Sequence, residues 1–334
     1  MALRIEILNS SMKGKWDEFV EGSPQGTIYH KWTWKLVVDC VPYYSQKILG
    51  IFKSEQIVGG VVWTEKKNWK FHSAANALAT QYLGFLLSPS SSTKLSEIVS
   101  DQQEIINEGL NYLEKNYDEI NLVLPVDFLE IRPFNQRNYS VIPQMTYYLN
   151  FENEGELWDR LDGSLRRQIN KADTMGFSFE QNFSSNEFQS ILKATFSRKS
   201  DQIIIPLEII TGAVEEESLK DNRYLFCARE KPGGKMIAGI LILFDSKRCY
   251  YSLAGTDSDF LSTGVQPWLI WQTLKYLRSH KITTLDFIGA NIPSIARFKE
   301  HFNPTPKLYF KVQKFPSKTF YIIKKISKKL AKDI

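Results

Sequence analysis

The sequence has few of the residues that build metal and disulfide sites. Its three cysteines, Cys40, Cys227 and Cys249, are odd in number and lie outside any C-x-x-C spacing. Neither a disulfide framework nor a zinc site is indicated, and each cysteine is expected to pack in an apolar neighbourhood. The four histidines (His30, His72, His280 and His301) are equally dispersed, so no metal is expected. Long hydrophobic runs are missing as well. The longest, such as Ile237–Phe244, have strand length, against the ~20 residues that a membrane span needs. Met1–Ile7 alternates like a strand and lacks the apolar stretch of a signal peptide. Hydrophobic residues at 43% and charged residues at 24% exclude disordered and fibrous classes. What remains is a cytoplasmic globular enzyme, and 334 residues suit two domains of roughly 150 each.

What the sequence does contain is an internal repeat, weak residue by residue and strong in the order of its elements. Leu49–Phe52 and Ile57–Trp63 flank a short polar turn. Leu225–Ala228 and Ile237–Ile242 flank Lys231-Pro232-Gly233-Gly234-Lys235. Both pairs predict β-hairpins, because β-branched runs are joined by turn residues. Each is followed by an aromatic strand ending at a glycine, Gln81–Gly84 and Tyr250–Gly255. A long helix comes next, over 94–116 in the first half and 267–280 in the second, then a buried strand, Ile120–Leu124 or Thr284–Ile288. Pro267 suits a first helical turn, and apolar residues at 270, 271, 274 and 277 form one face that must pack on a sheet. Between the halves, Leu161, Leu165, Ile169 and Ala172 predict one helix over Trp158–Gly176 that exposes Arg166, Arg167 and Lys171. A second helix is expected over Asn186–Arg198.

After the last repeat strand, a small-residue loop from Gly289 opens a short helix with Phe298 and Phe302 at i, i+4. The aromatics should bury, leaving Lys299 and His301 to face elsewhere. Lys299 is then either a solvated surface lysine or a cation at the end of a parallel strand, where ligand sites of α/β folds collect.

These segments resemble the FemAB/FemX family of peptidyltransferases, which add amino acids to peptidoglycan precursors, and the related double GNAT-type acyltransferases. The resemblance spans nearly the whole chain. It is carried by Leu165–Ala172, Tyr251–Gly255, Asp286–Ala290, Arg297–Phe302 and the opening Thr27-Ile28-Tyr29-His30 with Trp34. It implies an α/β fold with mixed sheets: two tandem GNAT-like domains (the acyl-CoA N-acyltransferase fold) with the chemistry in a cleft between them. It also implies direct transfer, in which an amine attacks a bound activated acyl group without an enzyme-bound intermediate. Lys299 matches the family's lysine beside the reacting ester, where a cation offsets oxyanion charge, and Tyr251 matches a tyrosine near the site. Arg198 matches an arginine used on pyrophosphate, a task that suits the guanidinium fork. Arg167, Arg297 and Lys35 are the further cations assigned to substrate binding. Asp127 falls near the family's proposed general base, or else caps a loop turn.

The expected boundaries are 1–150 for a first GNAT-like domain, 151–312 for a second that carries the donor and reaction site, and 313–334 for a basic segment packing back on the first. The donor is acyl-CoA or aminoacyl-tRNA. A CoA user should carry a glycine-rich loop whose amides hold pyrophosphate. Leu261–Pro267 offers one glycine and a proline. The acceptor is an amine on a cell-wall precursor or surface glycan, with N-acylation of an amino sugar as the alternative and a silent nucleotide-sugar or RNA module as the non-enzymatic one. The chain is read as a monomer. Its tail, Ile322–Ile334, reads as an amphipathic basic helix that lies on an anionic membrane surface at the inner face, holds tRNA phosphates, or simply packs back.

Overall fold

Alternating β-branched runs separated by turn residues dictate hairpins, and the computed structural model contains them; it describes residues 2–68, 70–196 and 205–330. The chain divides into two units, Met1–Gln144 with Leu308–Ile334, and Met145–Lys307. The first holds β1 (Arg4–Ile7), α1 (Lys13–Gly22), α2 (Trp32–Asp39), β2 (Tyr44–Lys53), β3 (Gln56–Asn68), β4 (Phe71–Ala75) and β5 (Gly84–Leu87). It continues through α3 (Leu95–Asn116), β6 (Glu119–Val123) and α4 (Arg132–Gln136), and the chain crosses into the second unit within β7 (Ser140–Asn150). The second holds α5 (Glu154–Arg160), α6 (Gly163–Asp173), β8 (Ser178–Gln181), α7 (Ser185–Phe196), α8 (Leu207–Glu215), β9 (Arg223–Arg229) and β10 (Met236–Phe244). β11 (Cys249–Thr256), α9 (Val265–Ser279), β12 (Thr284–Asp286) and α10 (Pro293–Glu300) complete it. The chain returns within β13 (Thr305–Lys314) and ends in α11 (Lys318–Leu330).

The repeat is a repeat of topology. In the first unit β2 and β3 pair antiparallel with Leu49 opposite Val61, and β4 lies antiparallel to β3 and parallel to β6, Ala74 opposite Ile120. In the second, β9 and β10 pair antiparallel with Phe226 opposite Ile240. β11 lies antiparallel to β10 and parallel to β12, Tyr250 opposite Asp286. Each parallel pair is bridged by a long helix, α3 or α9, as a parallel connection requires. The 15-residue α9 buries Ile270, Trp271, Leu274 and Leu277 together with Val265, Trp268 and Leu269. Burying each such side chain contributes about 1.5–3 kcal/mol, which is why the helix holds to this sheet.

Both faces of the first sheet are covered closely enough to require glycine. A Cβ on Gly59 would sit 2.3 Å from Ile105 Cγ2 of α3, and one on Gly60 would sit 2.6 Å from the Trp16 ring of α1. Successive residues of a strand point to opposite faces, so the two glycines admit one helix on each side.

Four expectations are corrected. Gln81–Leu83 is not a strand, because the strand begins at Gly84, whose φ of 92° turns the chain into β5. Trp158–Gly176 is broken into α5 and α6. Leu161 is extended (ψ 142°), and the Asp162 carboxylate accepts from Ser164 N to start a new helix. β12 ends at Asp286, two residues early, since Ile288 and Gly289 adopt left-handed φ of 51° and 62°. Cys40 is exposed; only Cys227 and Cys249 are buried. Among the described residues no helix is long and apolar enough to cross a membrane.

Candidate active site

β12 runs parallel to β11 and ends at Asp286, opposite Tyr250 near the start of β11, and of the candidate residues Lys299 and Tyr251 contact the chain just past this end. Asp286 closes β12 as a fully buried carboxylate. Its Oδ1 accepts from Thr146 Oγ1 at 2.6 Å and from Ile288 N at 2.8 Å, which turns the chain sharply after Phe287. The loop is pinned further by Phe287 N on Tyr147 O, Ala290 N on Met145 O, and Met145 N on the Asn291 side chain. A β-branched residue at positive φ is a strained conformation that its surroundings must impose. Ile288 is such a residue, and those hydrogen bonds are what impose it.

Lys299 sits inside this turn. It is 5% exposed, and its Nζ donates to Ile288 O at 2.5 Å and Gly289 O at 2.6 Å. The solvated alternative is therefore excluded. Two consecutive left-handed residues have turned their carbonyls toward one point, and a buried ammonium meets them there. An ammonium is buried only where such partners offset its desolvation. Phe302 is fully buried and packs on Phe287 at 5.3 Å with Phe298 beside it, so α10 is anchored by its aromatics as its spacing predicts.

Tyr251 of β11 packs on the same turn through its ring. Its ring meets Phe287 edge-on at 5.8 Å, and its phenol oxygen accepts from Gln266 Nε2 at 2.6 Å. Burial pushes the phenol well above its ordinary range, so it stays protonated at neutral pH. Gln266, in the first turn of α9, also accepts from Thr256 Oγ1, and Thr256 N donates to Thr195 Oγ1 of α7 at 3.1 Å. Lys299 and Tyr251 thus both lie within one residue of Phe287: Tyr251 through its ring, Lys299 through the carbonyl of the following residue.

The loop from β11 to α9 leads directly into Gln266. Thr263 Oγ1 accepts from Val265 N at 3.2 Å, and Pro267 has no amide hydrogen, so two of the first three amides of α9 are withheld from an anion. Gly264 is left-handed (φ 84°), and a Cβ there would lie 2.5 Å from Gln168 O, so α6 backs directly on the loop. Lys171 of α6 donates to Ser262 O at 3.0 Å. The loop also carries two carboxylates. Asp257 is ion-paired to Lys235 at 2.8 Å, and that hydrogen bond holds its carboxyl below the usual range; Asp259 is exposed beside it.

The remaining candidates are placed as follows. Arg167 on α6 and Arg297 on α10 are exposed. Arg198 lies outside the described residues. In the first unit Asp127 is an exposed loop residue after β6, its backbone carbonyl accepting from Gln25 Nε2 at 3.5 Å. Lys35 of α2 is ion-paired to Asp39 one turn on, whose other oxygen accepts from Gln46 N at 2.7 Å. Among the described residues no group of three or more His, Cys, Asp or Glu is placed to hold a metal ion. Sequence reasoning assigned no role to Asp286, Gln266 or Thr195. Only the first left a signal, an aspartate two residues before a strand-ending turn.

Residues 160–300, within the second unit, match the family model described as the acetyltransferase (GNAT) domain. The whole chain is similar in structure to FemX, with a TM-score of 0.69 at 14% identity over 96% of this chain and 99% of that one. It is also similar to L-PGS from Bacillus licheniformis, with a TM-score of 0.55 at 10% identity over 90% of each chain. A tandem GNAT protein from the clavulanic acid biosynthesis pathway gives 0.54 at 10% identity over 94% of this chain and 99% of that one. No curated protein matches the sequence. The fold is that of the double GNAT-type acyltransferases, and the domain match places GNAT character in the second unit. The chain has the FemX-like double-GNAT fold, within which residues 160–300 match the acetyltransferase (GNAT) domain.

Proposed function

We propose that this acyltransferase takes its acyl group from an aminoacyl ester, not a CoA thioester, and passes it directly to an amine of a cell-wall precursor or surface glycan. The observation that carries the donor assignment is the β11–α9 loop. A pyrophosphate is held by free amides at a helix N-terminus and by local positive potential. Here one amide is capped by Thr263, one is absent at Pro267, Asp257 is already paired with Lys235, and the exposed Asp259 adds negative charge. An ester of a tRNA terminus needs no such cradle. The acceptor class rests on the resemblance of the sequence to the peptidyltransferases.

In the proposed reaction the amine nitrogen attacks the ester carbonyl, the C–N bond forms, the ester C–O bond breaks, and the proton lost by nitrogen ends on the departing hydroxyl. Lys299 offsets the negative charge that develops on the carbonyl oxygen. The neutral Tyr251 phenol, oriented by Gln266, supplies a hydrogen bond in the same place. Direct transfer agrees with the state of the buried thiols, because burial pushes Cys227 up to about 11 and Cys249 higher still, leaving little thiolate to form a covalent intermediate.

The match to a GNAT domain favours a second reading, with acyl-CoA as the donor. Thermal-shift measurements separate the two. A ligand at ~100 times its dissociation constant adds ~2.7 kcal/mol of stability. Stabilisation by charged tRNA or a UDP-linked muramyl peptide, with none by acetyl-CoA or longer acyl-CoAs, is the expected result. Stabilisation by the CoA thioesters alone would overturn the donor assignment.

A further inference from the structure

The last helix carries apolar side chains that the protein leaves uncovered. α11 is held down on one side. Phe320 is buried against Phe71 with ring centroids 4.7 Å apart, and Lys324 is ion-paired to the buried Glu119. Ser317, just before the helix, bonds through its amide to Asp118 O. Yet Ile322, Ile323 and Ile326 are 55%, 47% and 55% exposed, and Tyr321 is 46% exposed. At 100° per residue the three isoleucines fall within an arc of about 100°, centred some 130° away from the Phe320–Lys324 side. Lys318 and Lys325, both exposed, border that arc. From Phe315 to Lys332 the sequence contains six lysines and no acid.

A helix that turns isoleucines to water while pinned through its opposite side is not completing its own core. We propose that this face docks the enzyme on an anionic lipid bilayer. The helix would lie in the interface plane, with Ile322, Ile323 and Ile326 at the acyl boundary and Lys318 and Lys325 among the headgroups. Both halves of the pattern fit that partner, because interfacial binding sums buried apolar area and attraction to anionic lipid. A nucleic acid would satisfy the lysines but would give the isoleucines nothing, since its contacts run to phosphates.

The test is co-sedimentation of the full chain with phosphatidylcholine vesicles and with vesicles containing 30% phosphatidylglycerol. No acyl donor is present, so the result is independent of the donor assignment. Binding to the anionic vesicles, at least tenfold weaker to the neutral ones, is expected. Ile322→Ser, Ile323→Ser and Ile326→Ser combined should lose at least tenfold in binding while the melting temperature stays unchanged, because none of the three is buried. Lys318→Gln with Lys325→Gln should lose about fivefold per lysine. No sedimentation with anionic vesicles, or undiminished sedimentation of the serine variant, would overturn the proposal. Retention of tRNA through the lysines by protein that ignores vesicles would overturn it in favour of an RNA contact.

Discussion

Replacing Lys299 by Met separates the structural and chemical uses of the buried ammonium. The substitution keeps the length of the side chain and removes its three donors. Ile288 O and Gly289 O would then be stranded at a turn that is already strained. A buried polar group left unsatisfied costs about 1–3 kcal/mol, partly offset here because an ammonium need no longer be desolvated. A net loss of about 2 kcal/mol corresponds to a melting temperature lower by roughly 4–8 °C for a unit of this size. The protein should therefore remain folded at assay temperature. Losing one preorganised donor to the oxyanion costs about 2.7–4 kcal/mol in the barrier, a fall of about 10²–10³ in kcat. Melting would be followed by circular dichroism and turnover by single-turnover transfer of a labelled acyl group. Turnover within threefold of the parent, with the melting temperature lowered as predicted, would refute the chemical role and leave Lys299 as a lock on the turn.

Three further outcomes follow from particular contacts. Gly59→Ala places a methyl 2.3 Å from Ile105 Cγ2, so overpacking should cost about 1–3 kcal/mol, and an unchanged melting temperature would mean that α3 yields more easily than the packing suggests. Glu187 of α7 is held below its ordinary value of 4.5 chiefly by its hydrogen bond to Arg229. Its contribution is thus complete above pH 4.5 and lost as pH falls through the lower folded value. Glu187→Gln should lower the melting temperature by a few degrees at most at pH 7, given partial exposure of the pair, and the gap to the parent should close on acidification. A gap that widens toward pH 3 would contradict the assignment. Tyr251→Phe removes the acceptor of Gln266 Nε2 and should slow transfer about tenfold, with no activity step at pH 7–9 arising from the phenol in the parent. Equal turnover would remove Tyr251 from the mechanism.

Elements whose periodicity ran long were legible in the sequence. The β9–β10 hairpin, α3 and α9 form within two residues of their predicted ends, and the β2–β3 hairpin forms as predicted but extends five residues further at each outer end, to Tyr44 and Asn68. Errors fell where a local hydrogen bond overrides periodicity. Leu161 keeps the spacing of Leu165 and Ile169 because it packs in the same core, and so it conceals the break that Asp162 imposes. Tyr82 suggested a strand but is buried between Tyr29 and Tyr309 on a segment without ladder pairing. At the site, Phe302 is buried as its spacing implied, but Phe298 is only half-buried and Lys299, expected to face elsewhere, is buried. The burial of Lys299 depends on the carbonyls of two left-handed residues, which no side-chain pattern encodes. Gln266 and Thr195 were invisible for the same reason, since their roles come from strands and helices brought together in space.

The most direct test of the donor assignment is transfer of label from charged tRNA, and separately from acetyl-CoA, to a UDP-linked muramyl peptide by the purified chain. Amide-linked product from charged tRNA, with none from the thioester, is the predicted result. Product from acetyl-CoA and none from charged tRNA would contradict it, and would show that a loop with a capped amide, a proline and two carboxylates still holds a pyrophosphate.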